Sequence, residues 1–162
     1  MLEIQKVCVI GLGYIGLPTA ALIASRGMKV IGIDINPNIV KTVASGSIHI
    51  AEPDLDGLVQ KVVSNGTLTA QEQPEAADVF MIAVPTPIDG ANHPDMTCVM
   101  TAVDRIANLL APGNLVILES TSPIGTTEII AKMITERRPD LGIGINNGAT
   151  GISVAYCPER VL

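Results

Sequence analysis

The stretch Val7-Cys8-Val9-Ile10-Gly11-Leu12-Gly13-Tyr14-Ile15-Gly16-Leu17-Pro18 decides the fold. Four apolar residues in a row, Val7 to Ile10, read as a buried strand. Gly11, Gly13 and Gly16 then fit G-x-G-x-x-G, the turn that hands a strand to a helix in dinucleotide-binding folds. Each glycine has its own task. Gly11 permits the tight turn, Gly13 lets a pyrophosphate approach the backbone, and Gly16 lets the new helix pack closely on the sheet. The start of that helix offers N–H donors and a positive dipole end to phosphates.

The neighbouring residues support this reading. Pro18 suits the first turn of a helix and places its start near Tyr14. Good helix formers run from Leu17 to Arg26, and Gly27 reads as the C-cap. A second apolar strand, Val30 to Ile33, ends in Asp34, 23 residues after Gly11. Such folds place there the carboxylate that accepts hydrogen bonds from the adenosine ribose hydroxyls. Its charge would repel a 2′-phosphate, and no arginine stands beside it in sequence, so NAD is favoured over NADP. The competing reading is a glycine turn in some other α/β protein, with Asp34 as a helix cap.

The 162 residues suffice for one domain with a real core. Hydrophobic residues make up 48% of the chain, a share that implies apolar surface covered by another domain or subunit. No apolar run reaches the length of a membrane span and no signal-peptide pattern opens the chain, so the expectation is a cytoplasmic protein without a membrane partner. A net charge of −6 argues against nucleic acid as a partner, and Tyr14, Phe80 and Tyr156 are too few for a base-stacking platform. Cys8, Cys98 and Cys157 are odd in number and widely spaced, which fits neither a disulfide framework nor a zinc site. Cys8 reads as a packed thiol.

Past Asp34, Asn36-Pro37 opens a helix over residues 38–44, closed by Ser45-Gly46. Lys41 lies on it, either reaching the adenosine end of a dinucleotide or simply solvated. Asp54 is expected to cap a helix ending near Ser64, Leu68 to Ala70 to form a brief strand, and Pro74 to Ala77 to form a helical turn. Asp78 to Val84 is the next buried strand, broken by Pro85-Thr86-Pro87 at the sheet edge where ligands bind in doubly wound folds. Asp89, His93 and Asp95 could suggest a metal site, but a loop with Gly90 and Asn92 needs no metal, and none is expected. Residues 96–110 carry a helical apolar stripe. Leu115 to Leu118 is a further strand, and Glu119-Ser120-Thr121-Ser122-Pro123 leads to a helix over residues 129–137. Residues 141–151 read as a mobile loop and Ile152 to Tyr156 as the last strand. Strands near residues 7, 30, 68, 79, 115 and 153 make six. The β-α-β-α alternation calls for α/β architecture, a Rossmann-type doubly wound parallel sheet with helices on both faces.

Four motifs in order carry a resemblance that spans the whole chain. Gly-Leu-Gly-Tyr-Ile-Gly-Leu-Pro at 11–18, Val-Pro-Thr-Pro at 84–87, Glu-Ser-Thr-Ser-Pro-Ile-Gly-Thr-Thr at 119–127 and Cys-Pro-Glu-Arg-Val at 157–161 resemble the UDP-glucose/UDP-N-acetylmannosamine 6-dehydrogenase family. The block at 119–123, His49 to Leu55 and Tyr156 to Arg160 are more similar to its UDP-N-acetyl-D-mannosamine branch. The resemblance implies oxidation of a UDP-sugar C6 alcohol to the uronate, by two hydride transfers to NAD, for polysaccharide biosynthesis. It implies that Tyr14, Ile15 and Asp34 hold the adenosine and pyrophosphate, and that Thr86 and Thr127 line the nicotinamide half. Thr121 and Glu159 would face the reacting carbon, and Arg160 and Val161 would touch the nucleotide sugar. The family's nucleophilic cysteine, in a Gly-Gly-x-Cys motif, and its partner lysine are expected beyond residue 162, with the helical linker and C-terminal domain. On that expectation the chain alone is inactive, and the homodimer common in the family would be built from the missing segment. Two rivals predict different behaviour. A β-hydroxyacid dehydrogenase domain would share the fold without Val-Pro-Thr-Pro or Cys-Pro-Glu-Arg, and a non-catalytic NAD-sensing module would ignore UDP-sugars.

Overall fold

In the computed structural model, which describes residues 4–90, 93–144 and 151–158, the first two strands appear as the sequence predicts. β1 spans Lys6–Ile10 and β2 Lys29–Ile33, joined by α1 over Gly16–Ser25. The helix therefore starts two residues later than Pro18 alone implied. The following elements are α2 (Pro37–Ala44), α3 (Leu55–Ser64), β3 (Leu68–Gln71), β4 (Val79–Ile82) and α4 (Thr97–Ala107). β5 (Leu115–Leu118), α5 (Thr126–Arg137), β6 (Gly142–Ile143) and β7 (Gly151–Tyr156) complete the order.

Among the described residues the sheet has seven strands in the order β3-β2-β1-β4-β5-β7-β6, and each recorded pairing is parallel. The added strand is β6, within the segment expected to be a loop. It pairs Gly142 with Gly151 and Ile143 with Ile152. Its two residues are too short to leave a periodic signal. Two other expectations need correction. Residues 74–77 form no helical turn. Asp54 does precede α3, but its backbone is left-handed (φ 62°) and its side chain makes no capping hydrogen bond.

Alternation along the uniformly apolar strands feeds two cores. Cys8, Ile10, Ile31, Ile33, Phe80 and Ile82 face α4 and α5 on one side. Val7, Val9, Val30, Val79 and Met81 face α1 and α3 on the other. A strand buried on both faces has no polar side to declare, which is why these segments read as unbroken apolar runs. The Cys8 thiol is enclosed, and burial pushes its pKa up to about 12. It is a packing group. Asp78 ties the start of the sheet together by accepting hydrogen bonds from the backbone N–H groups of Gln5 and Lys6 at 2.8 and 2.9 Å.

Beyond the strand ends, backbone hydrogen bonds step across the carboxyl edge. Gly11 N donates to Ile33 O (2.8 Å), Ala83 N to Ile10 O (2.8 Å) and Glu119 N to Ile82 O (2.9 Å). The turns after β1, β4 and β5 are thereby held side by side. Strand order reverses between β1 and β4, the switch point where doubly wound sheets open a crevice for ligands.

Candidate functional site

A cleft of about 570 Å³ opens at that switch point. The glycine turn forms one wall. Gly11 has φ +94°, and a Cβ there would lie 2.5 Å from the carbonyl oxygen of Ala83, so the turn presses directly on the exit of β4. A Cβ on Gly16 would sit 1.8 Å from the Gly11 carbonyl oxygen, a backbone atom, so the turn itself would have to shift. Gly13 is different: a Cβ there would meet nothing within 4 Å. Gly13 lines the cleft, and its missing side chain leaves open space where a ligand's backbone-seeking group can approach. Tyr14 and Ile15 also line the cleft, immediately ahead of the first residue of α1, so the positive end of that helix opens into it.

Asp34 stands at the end of β2 in the same cleft. Its Oδ2 accepts from the backbone N–H of Leu12 (3.0 Å) and its Oδ1 from that of Asn36 (2.9 Å). The carboxylate is thus anchored to the glycine turn on one side and to its own loop on the other. A carboxylate can accept about four hydrogen bonds, so each oxygen keeps capacity for a hydroxyl. Leu12 reaches this position because β2 carries a glycine: a Cβ on Gly32 would lie 2.7 Å from Leu12 Cδ2. Nothing in the motif spacing pointed to Gly32.

The exits of β4 and β5 supply the remaining walls. Val84, Pro85 and Thr86 line the cleft after β4, as do Glu119, Ser120 and Thr121 after β5. Ser120 Oγ donates to Val84 O (2.8 Å) and Ile82 O (3.2 Å), locking the two exits together. Glu119, buried at 6% exposure, accepts from Thr19 Oγ1 of α1 at 3.1 Å. Glu119 and Ser120 belong to the motif at 119–127, whose sequence alone gives no sign of these bonds across the sheet.

Of the expected site residues, the fold brings Gly11, Gly13, Tyr14, Ile15, Asp34, Thr86 and Thr121 to one cleft, with Gly16 packed behind the turn. Lys41 is exposed on α2 and is not part of the lining. Thr127 lies in the first turn of α5, donating to Glu128 Oε2 at 2.9 Å, also outside the lining. Glu159, Arg160 and Val161 fall outside the described residues. An arginine absent from the sequence neighbourhood of Asp34 does reach the cleft: Arg105 of α4 lines it, as does Cys98. Asp89 and His93 pair with each other (His93 Nδ1 to Asp89 Oδ2, 3.2 Å). Asp95 accepts from Thr97 N at 2.9 Å, and Thr97 holds its carboxyl below the usual range. Among the described residues, no three His, Cys, Asp or Glu side chains form a group that could hold a metal ion. Nor is any helix there long and apolar enough to cross a membrane.

Comparison with known proteins is consistent with this geometry. Residues 5–162 match the UDP-glucose/GDP-mannose dehydrogenase family, NAD binding domain. The chain is 57% identical over 164 residues to a UDP-N-acetyl-D-mannosamine dehydrogenase of Campylobacter jejuni, covering 100% of this chain and 40% of that protein. It is 50% identical to an NDP-N-acetyl-D-galactosaminuronic acid dehydrogenase of Ralstonia nicotianae, covering 99% of this chain and 38% of that one. Among solved structures, a UDP-N-acetyl-mannosamine dehydrogenase from S. aureus superposes with a TM-score of 0.88 at 41% identity, over 97% of this chain and 37% of that one. The chain therefore spans about two fifths of the length of these relatives. With the glycine turn, the acid after β2 and the switch-point cleft in place, the chain belongs to the UDP-glucose/GDP-mannose dehydrogenase family, within its NAD-binding domain.

Proposed function

We propose that this cleft is the NAD site of a nucleotide-sugar 6-dehydrogenase that oxidises the C6 alcohol of a UDP-sugar, UDP-N-acetylmannosamine by preference, to the uronate. One observation carries the reading: Gly13 leaves open space between the start of α1 and Asp34, whose carboxylate is already aimed by Leu12 N–H. A dinucleotide needs both features at that separation, a bare backbone for its pyrophosphate and an acceptor for its ribose diol. NAD, when bound, supplies the hydride acceptor. Asp34 holds the adenosine ribose and disfavours a 2′-phosphate. Gly13, Tyr14 and Ile15 present backbone to the pyrophosphate. Thr86 and Thr121, on the β4 and β5 exits, offer hydroxyls to the nicotinamide half and to the reacting carbon. Thr127, Lys41, Glu159, Arg160 and Val161 keep the roles that the family resemblance implies. The sugar is chosen by similarity to the mannosamine enzymes, at 57% against 50% for the galactosaminuronic relative. On this reading the chain acts in the cytoplasm for polysaccharide synthesis, and oxidation to the acid also needs a nucleophilic cysteine that these residues do not supply.

Calorimetric titration of the chain with NADH and then NADPH tests the proposal. Saturable NADH binding with at least tenfold weaker NADPH binding is expected. A chain that shows its folded circular dichroism spectrum yet binds neither would overturn it.

A further inference from the structure

The glycine turn and the ribose acid are not the whole lining of the cleft. Arg105 of α4 forms part of it, with Ile10, Ile33 and Ile35. Chain order conceals this residue, because only the packing of α4 beneath β1, β2 and β4 brings it to the end of β2. Its Nη2 donates to the backbone carbonyl oxygen of Glu72 and to Gln73 Oε1, the latter at 3.1 Å. Both acceptors belong to the segment leaving β3, so one edge of the guanidinium is tied to the strand beyond β2.

That tether decides what Arg105 can offer a ligand. The N–H donors of a guanidinium lie in its plane, so bonds to Glu72 and Gln73 use the edge at Nη2. The N–H groups of Nε and Nη1 stay in the plane, and the planar face itself stacks on flat π-systems. Ile10 and Ile33 are buried at the strand ends, whereas Ile35 is 78% exposed, a large aliphatic group without a protein partner to cover most of it. An apolar surface and a fixed guanidinium in one pocket suit an uncharged, flat, polarisable ring. They suit a second phosphate poorly, because the Asp34 carboxylate shares the cleft.

Resting on the assignment of the ribose to Asp34, we propose that Arg105 is a specificity-determining residue for the base, holding the adenine ring by stacking together with Ile35. The remaining geometry fits. Asp34 takes the ribose at the end of β2, and the base attached to that ribose continues away from the glycine turn, toward Ile35 and Arg105.

The test is calorimetry of the chain and its variants with NADH, ADP-ribose, NADPH and reduced nicotinamide cytosine dinucleotide. Arg105→Ala should weaken NADH and ADP-ribose alike by about tenfold. It should also shrink the preference for adenine over cytosine, because the larger ring gains more from stacking. Arg105→Lys, which keeps the charge without the plane, should not restore either. Gln73→Ala, which loosens the tether and leaves the guanidinium, should weaken binding by less. Equal losses for the adenine and cytosine dinucleotides would overturn the proposal and leave Arg105 a structural link between α4 and β3. Full rescue by lysine, or a loss confined to NADPH, would overturn it in favour of a charge contact. Parent chain that binds neither NADH nor ADP-ribose would instead refute the cofactor reading beneath it.

Discussion

The turns after β1 and after β5 hold corresponding places at the cleft and are built by opposite means. The first is shaped by missing side chains. Gly11 touches the β4 exit backbone, and Gly16 leaves no room for a Cβ against the Gly11 carbonyl. The second is shaped by side chains that reach across the sheet: Ser120 to the carbonyls of Ile82 and Val84, and Glu119 to Thr19, 100 residues away in sequence. Steric closure is a local property and rejects almost any added atom. Closure by hydrogen bonds is non-local, and it costs only as much as the bonds it loses.

The sharpest way to break this contrast is Gly16→Ala. A Cβ at 1.8 Å from a backbone oxygen forces α1 off its seat, so the expected loss is about 3 kcal/mol or more, with NADH binding abolished. Urea unfolding measures it. A midpoint equal to that of the parent would mean the turn has slack that its geometry denies. Ser120→Ala probes the other turn. It strips a donor from Val84 O, while Ile82 O still accepts the N–H groups of Glu119 and Ser120. The expected cost is about 1–2 kcal/mol, with a cooperative transition retained. A loss as large as that of Gly16→Ala would erase the distinction.

The same contrast explains what sequence could reveal. The glycine turn, its flanking strands and Asp34 are legible because each residue's reason lies within about one βαβ unit. The positions of β1, β2, β4 and β5 follow from apolar runs alone. β6 leaves no such trace in two residues, and residues 74–77 carry helix-compatible alanines yet form no helical turn. Asp54 has the right identity for a cap and the wrong backbone, since its φ of 62° turns the side chain from the helix N–H groups it would bond. Arg105, Gly32 and the Thr19–Glu119 bond each depend on a residue from another element, and spacing rules cannot see them. The four motifs that carried the family resemblance succeed for a related reason: three of them lie at strand exits around the cleft, where chemistry and geometry constrain sequence together.

Asp34 joins the two modes of construction, a polar side chain holding a glycine turn in place. Asp34→Asn keeps one carbonyl oxygen as an acceptor but loses the charge, and replaces the other acceptor with a donor facing an N–H. Stability should fall by under about 1 kcal/mol, whereas NADH affinity should fall by about 1–2 kcal/mol and the margin over NADPH should narrow. Unchanged NADH affinity would remove Asp34 from the ribose contact and confine it to holding Leu12.

The smallest effect on stability belongs to Gly13→Ala, and it separates two kinds of glycine within one motif. No atom lies within 4 Å of the added Cβ and Gly13 does not need a left-handed backbone, so the folded state has no reason to object. The unfolded chain loses freedom, which makes a stability unchanged or raised by as much as about 1 kcal/mol the expected outcome. The methyl group nevertheless occupies the space that a pyrophosphate needs, so NADH should bind at least about tenfold more weakly, a cost of about 1.4 kcal/mol. Stability and binding then move independently at Gly13 and together at Gly16. Should Gly13→Ala bind NADH as the parent does, the open space at Gly13 is not where the cofactor lies, and the glycine turn serves only to bring α1 onto the sheet.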